Sequence, residues 1–155
     1  MLNLVTYRKI VRASAVYDLL VTASFATPWT FAMAHAQLDA INQALGGAPL
    51  PAFTPFHMLF ACLLGSVVLV WATLRVRDPQ ARYGRYDGVA RLLFTTWMIW
   101  ALHATGAPLL WIFIVPELAW GIAQWLPVRP IMSGCLQNPP PRQDANPSSS
   151  AASNA

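Results

Sequence analysis

Residues 56–74 read FHMLFACLLGSVVLVWATL, nineteen positions without a charged side chain, and the next four, Arg75-Val76-Arg77-Asp78, carry three charges. About 20 apolar residues at about 1.5 Å each suffice to cross roughly 30 Å of hydrocarbon. This run therefore reads as a helix that spans a membrane, and its charged end marks where it leaves the lipid. Working outward, three more runs have similar character: Ala13 to His35, Gly88 to Thr105 and Pro108 to Leu126. The chain is 56% hydrophobic and 10% charged, whereas soluble domains carry about 25% charged residues. It has too little polar surface to cover itself in water, so lipid is its expected solvent.

The ten Lys and Arg residues set the expected direction. They are Arg8, Lys9, Arg12, Arg75, Arg77, Arg82, Arg85, Arg91, Arg129 and Arg142, and none falls in 37–56 or in 105–111. Cationic loops stay on the cytoplasmic side. The expectation is thus an all-α integral membrane four-helix bundle, antiparallel and up-down, with both termini cytoplasmic, in the inner membrane of a bacterium. Residues 1–130 form its transmembrane domain and 131–155 a disordered tail, because Pro, Ser, Asn, Gln and Ala there cannot build a core. The formal charge of +4 is spread over helix ends, where anionic lipid headgroups are the expected partners. A nucleic-acid surface would gather those charges on one soluble face. The first run follows Arg8, Lys9 and Arg12 as in a secretory signal, but it is too long, carries Asp18 and precedes three further spans. Cys62 lies within a span and Cys135 in the tail, which argues against a disulfide.

Loop chemistry follows the same plan. Gly46-Gly47 ends a helical extension of the first span, and Pro49, Pro51 and Pro55 keep the return extended. Gly106-Ala107-Pro108 is all that joins the third and fourth spans, which makes them antiparallel neighbours. Residues 75–87 read as the main cytoplasmic loop. Pro28 frees the carbonyl of Ser24 and kinks the first span. Trp29, Trp71, Trp111 and Trp125 suit an interfacial belt, while Trp97 and Trp100 are expected to pack between helices.

Ionisable groups inside lipid are costly, and each is a candidate functional position. Asp18 shares a face with Ser14 and Thr22 at spacing i, i±4. Arg91 enters the third span from the same side, so the two make the expected structural ion pair; the alternative has Arg91 snorkelling toward the headgroups and bonding Asp87, four residues earlier. Glu117 falls near the middle of the fourth span, beside Pro116, whose ring leaves the carbonyl of Ile112 without its helical donor. It is read as having no basic partner at its depth. With Gln124 on the same face it is the candidate ligand or proton site, and the alternative is a protonated carboxyl bonded to a neighbouring helix. His35, His57 and His103 fall at the outer ends of three spans, with Asp39 one turn beyond His35. Such a set suits a transition metal or, through two imidazoles, haem, against the plainer reading of interfacial histidines without a cofactor. Phosphate loops, HExxH and GxSxG are absent.

The phrases Tyr17-Asp18-Leu19-Leu20, Phe25-Ala26-Thr27-Pro28-Trp29, Pro55-Phe56-His57 and Pro116-Glu117-Leu118-Ala119-Trp120-Gly121 resemble those of small, uncharacterised four-helix proteins of the bacterial inner membrane, over residues 8 to 128. Helix count and intramembrane carboxylates also resemble the DoxX-like proteins and the EXPERA group of sterol-binding and isomerase proteins. Neither likeness assigns a site residue. The function expected is a non-enzymatic accessory subunit or a binder of an apolar ligand, as a homodimer or part of a larger membrane complex. The alternatives are a proton-coupled or lipid-handling carrier using Glu117, and a redox or isomerase enzyme using Glu117 and the histidines.

Overall fold

The computed structural model describes residues 2–128. The tail reading and Cys135 lie outside them. Within this range the chain is all-α, with five helices: α1 Leu4–Thr22, α2 Pro28–Ala44, α3 Pro55–Arg77, α4 Ala81–Thr105 and α5 Trp111–Trp125. Short 3-10 turns, Ala23–Phe25 and Pro108–Leu110, precede α2 and α5. Two segments, Pro55–Arg77 and Pro108–Trp125, are long and apolar enough to cross a membrane, and a third is added if α1 and α2 count as one bent span. The segment expected at 88–105 does not join them. Arg82, Arg85, Asp87, Arg91 and His103 make α4 far more polar than α3.

The first expected span is not one helix. Its chain turns by 101° between α1 and α2, far more than a proline kink. Proline disfavours helical geometry in the residue before it, and Thr27 is extended, at φ −134° and ψ 150°. Thr27 Oγ1 then accepts the Thr30 N–H at 3.3 Å, so Pro28 opens a new, capped helix instead of bending the old one. The break packs against α3. A Cβ added to Gly65 would lie 2.8 Å from the backbone carbonyl atoms of Phe25, and backbone cannot swing aside as a side chain does. Gly65→Val is expected to lower thermal stability in detergent by about 1–3 kcal/mol; an unchanged melting temperature would mean that the break does not rest on α3.

The expected loop at 75–87 is also different. Helix α3 runs through Arg77 and α4 begins at Ala81, which leaves a turn of three residues. Two arginines, the exposed Arg12 and the half-buried Arg85, close helix ends: Arg12 Nε donates to the Val76 carbonyl at 3.2 Å and Arg85 Nη2 to the Leu126 carbonyl at 3.2 Å. Cations there oppose the negative end of the helix dipole. At the other end of α4, Gly106 takes φ 65°, a left-handed conformation that costs glycine nothing, and the chain returns at once as α5. Helices α4 and α5 are close neighbours. The Leu2 N–H bonds to the Pro127 carbonyl at 2.8 Å, so the two ends of the described chain meet.

Side chains are distributed in the reverse of a water-soluble protein. Along α3, Leu59, Phe60, Leu63, Leu64, Val67 and Val70 face outward, while Ser14, Asp18, Asn42, Arg75, Asp87, Arg91, Thr95 and Gln124 are buried. Soluble proteins bury such charged groups rarely. Trp97 and Trp100 belong to the outward set, 63% and 66% exposed, and do not pack between helices. The stripe Asp87, Arg91 and Thr95, spaced i, i+4, i+8, faces inward and turns both tryptophans to the opposite side.

Candidate functional site

Five charged side chains from four helices meet inside the protein. Arg91, on α4, is the hub. Its Nη2 donates to Asp18 Oδ1 at 2.8 Å and Oδ2 at 2.9 Å, its Nε to Asp87 Oδ2 at 2.9 Å, and its Nη1 to Glu117 Oε2 at 2.8 Å. A planar guanidinium has five N–H groups in a fixed fork, which is what three carboxylates around one cation require. Arg75, on α3 and fully buried, is the second cation. It pairs with Asp18 Oδ2, lies 2.6 Å from Asp87 Oδ2 and donates to Ser14 Oγ at 3.3 Å. Arg91 thus contacts both Asp18 and Asp87, but it is buried and does not snorkel toward the headgroups.

Neutral groups complete the shell. Gln124 Nε2 donates to Ser14 Oγ at 2.8 Å and Asp87 Oδ2 at 2.7 Å, and Trp71 Nε1 donates to Asp87 Oδ1 at 3.1 Å. Tyr7 Oη donates to the Gln124 carbonyl at 2.7 Å. Gln124 is thus a support of the network from within. Trp71, expected in an interfacial belt, serves the same carboxylate. Arg75 Nε, Thr95 Oγ1 and Gln124 Oε1 are buried without a hydrogen-bond partner among the described residues.

Arg75 is the residue missed in the sequence, where it fell in a supposed loop, and Asp87 entered there only as the alternative partner of Arg91. A signal for them exists. Trp71 and Arg75 on α3, and Asp87, Arg91 and Thr95 on α4, repeat every four residues, and continuing the helices through the charged stretch puts each stripe on one face. Glu117 is corrected for the same reason. Starting α4 at Ala81 sets Arg91 about 15 Å along its helix, and Glu117 stands about 12 Å from the end of α5. Their depths match, and Arg91 is the basic partner.

Glu117 is the edge of the network. Its Oε2 takes the Arg91 bond, and Oε1 has no protein partner among the described residues. Beside it lies a groove of 540 Å³ between α4 and α5, lined by Arg91, Leu92, Glu117, Leu118, Gly121, Ile122, Trp125 and Leu126. Gly121 leaves the room: a Cβ there would meet only the Arg91 Cβ, at 3.7 Å. The walls are almost wholly apolar, and Arg91 and Glu117 are the two charged residues of the lining.

The histidines do not assemble. Among the described residues no group of three or more His, Cys, Asp or Glu stands close enough to hold a metal ion. Phe53 separates two of them, its ring 5.2 Å from His35 and 6.1 Å from His57. His35 Nε2 bonds to the Pro51 carbonyl at 3.2 Å, and His57 Nδ1 pairs with Thr54 Oγ1 at 3.1 Å. Asp39 accepts the Leu50 N–H at 2.7 Å and Gln43 Nε2 at 3.0 Å, and these donors hold its carboxyl below the ordinary carboxylate range. All three residues fasten the loop between α2 and α3, which is what their expected metal set becomes. His103, near the end of α4, does not join them.

No protein-family model, curated protein or solved structure matches this chain. Function is accordingly argued from the chemistry of the network and its groove.

Proposed function

We propose that this chain is an integral protein of the bacterial inner membrane that binds an apolar small molecule bearing one polar group. It crosses four times, through α1, α3, α4 and α5 as a four-helix bundle, with both ends in the cytoplasm; α2 lies across the outer surface. The placement of the basic residues and the meeting of Leu2 with Pro127 support this topology. Reporter fusions after Gln80 and after Pro130 should read cytoplasmic and one after Gly47 periplasmic. A periplasmic signal after Gln80 would reverse the assignment.

The observation that carries the binding role is the groove. Its volume of 540 Å³ lies in the range of about 300–1,000 Å³ that small-molecule sites occupy. Lipid-facing apolar walls admit a ligand dissolved in the bilayer, and Glu117, a residue of the lining, supplies the polar contact through the oxygen that Arg91 leaves free. Ile122, 65% exposed on the groove wall, can be enlarged without touching the charges. Protein released in mild detergent should retain a bound small molecule in native mass spectra, and Ile122→Trp should lose it while melting at an unchanged temperature. The same retained mass in both proteins would remove the groove as the site.

A further inference from the structure

We propose that the ligand of this groove is a lipophilic monocation, and that it exchanges for one proton at Glu117. The inference rests on the groove reading above and adds the charge and the exchange. Its basis is the charge balance of the network. Asp18, Asp87 and Glu117 face Arg75 and Arg91, so three carboxylates meet two guanidiniums and the fully ionised cluster carries one uncompensated negative charge. A net charge among apolar helices is strongly unfavourable. One further positive charge is needed, and the one carboxylate of the cluster among the residues that line the groove is Glu117, whose Oε2 is bonded to Arg91 and whose Oε1 has no protein donor among the described residues.

The groups facing Glu117 restrict where that charge can sit. Arg91 from α4 already binds Oε2. Asp87 and Asp18 are held by both arginines and, for Asp87, by Trp71 and Gln124. Tyr17 from α1 packs its ring on Trp120, centroids 6.2 Å apart, and is neutral near pH 7. Arg75 from α3 is committed to Asp18 and Asp87. Arg85, half-buried, stacks over the Trp125 ring, 5.5 Å from its centroid, and bonds the Leu126 carbonyl; it is not among the residues that line the groove and pairs with no carboxylate of the cluster among the described residues. Gln124 Oε1 and Thr95 Oγ1, buried and unpartnered, add acceptors to the cluster and no donor that replaces a cation.

Two occupants meet the requirement at Oε1, a proton or a cationic ligand, and they exclude each other. With the proton on Oε1, Oε2 still accepts from Arg91 and the cluster is neutral. When a lipophilic cation enters, the O–H bond breaks, the proton leaves to water and the carboxylate pairs with the cation. The cluster stays neutral throughout. An anionic ligand of the same shape would raise the negative charge to two, so the groove selects by sign.

The test uses three probes of similar shape, tetraphenylphosphonium, triphenylphosphine oxide and tetraphenylborate, with the full-length protein in lipid nanodiscs and empty nanodiscs as the blank. Tetraphenylphosphonium should bind at least about tenfold more tightly than the neutral oxide, and tetraphenylborate should not bind. In weak buffer each bound phosphonium should release about one proton, and its affinity should rise with pH by linkage. Glu117→Gln should erase both the preference and the proton release, and Ile122→Trp should abolish phosphonium binding while leaving the network intact. If none of the three probes binds, the groove reading falls and the inference with it. If all bind equally, the groove stands and the charge inference is overturned. Preference without proton release, or preference that survives Glu117→Gln, overturns the exchange. Should Glu117→Gln fail to fold, the proton count and the Ile122→Trp result decide.

Discussion

Arg91→Met should destabilise the protein by about 3–5 kcal/mol, the scale for removing one partner of a buried ionic cluster. Total stabilities are often only about 5–15 kcal/mol, so the variant is expected to lose cooperative melting in detergent near room temperature. The residue joins carboxylates from α1, α4 and α5, and Met fills part of its volume while leaving three carboxylates to face Arg75 alone. Arg91→Lys should fare little better, because one ammonium cannot bridge three carboxylates in the geometry of a guanidinium fork. Adding Asp18→Asn to Arg91→Met should cost less than the sum of the two single changes, since the second substitution removes a charge that the first has stranded. Additive losses would mean that the two side chains do not interact.

Arg75→Met should be the second most damaging substitution, also by about 3–5 kcal/mol. The side chain is fully buried and is the only cation that α3 contributes to the network. Its loss should release α3 specifically, so hydrogen exchange at Ala72 to Arg77 should speed up more than exchange at the outer end of that helix. A near-neutral effect would place Arg75 at the lipid headgroups, where its position after the apolar run 56–74 first suggests it belongs.

Part of this architecture is legible in the sequence and part is not. Helical character, the apolar runs and the tight α4–α5 connection follow from hydropathy and from Gly106, because these are local properties. Asp18, Arg91 and Glu117 stand out because a charge within an apolar run has no cheap explanation. Arg75 and Asp87 do not stand out, because a charge next to a loop is ordinary; only the length of α3 and α4, settled by packing, carries them inside. The break at Thr27-Pro28 is an error of degree, since proline is compatible with a kink or a new helix and the Thr27 cap decides between them. The histidine set fails for a different reason: three residues at the same end of a fold need not share a point, and Phe53 stands between two of them.

Arg91 sits in a buried cluster of carboxylates whose outer member, Glu117, lines a groove. Magic-angle-spinning NMR of the protein in lipid bilayers tests this directly, by nitrogen-to-carbon dipolar transfer from the Arg91 guanidinium. Strong transfer to the carboxyl carbons of Asp18, Asp87 and Glu117 is expected, with guanidinium protons that exchange slowly with water. An Arg91 side chain that exchanges freely and shows no transfer to Glu117 would contradict it.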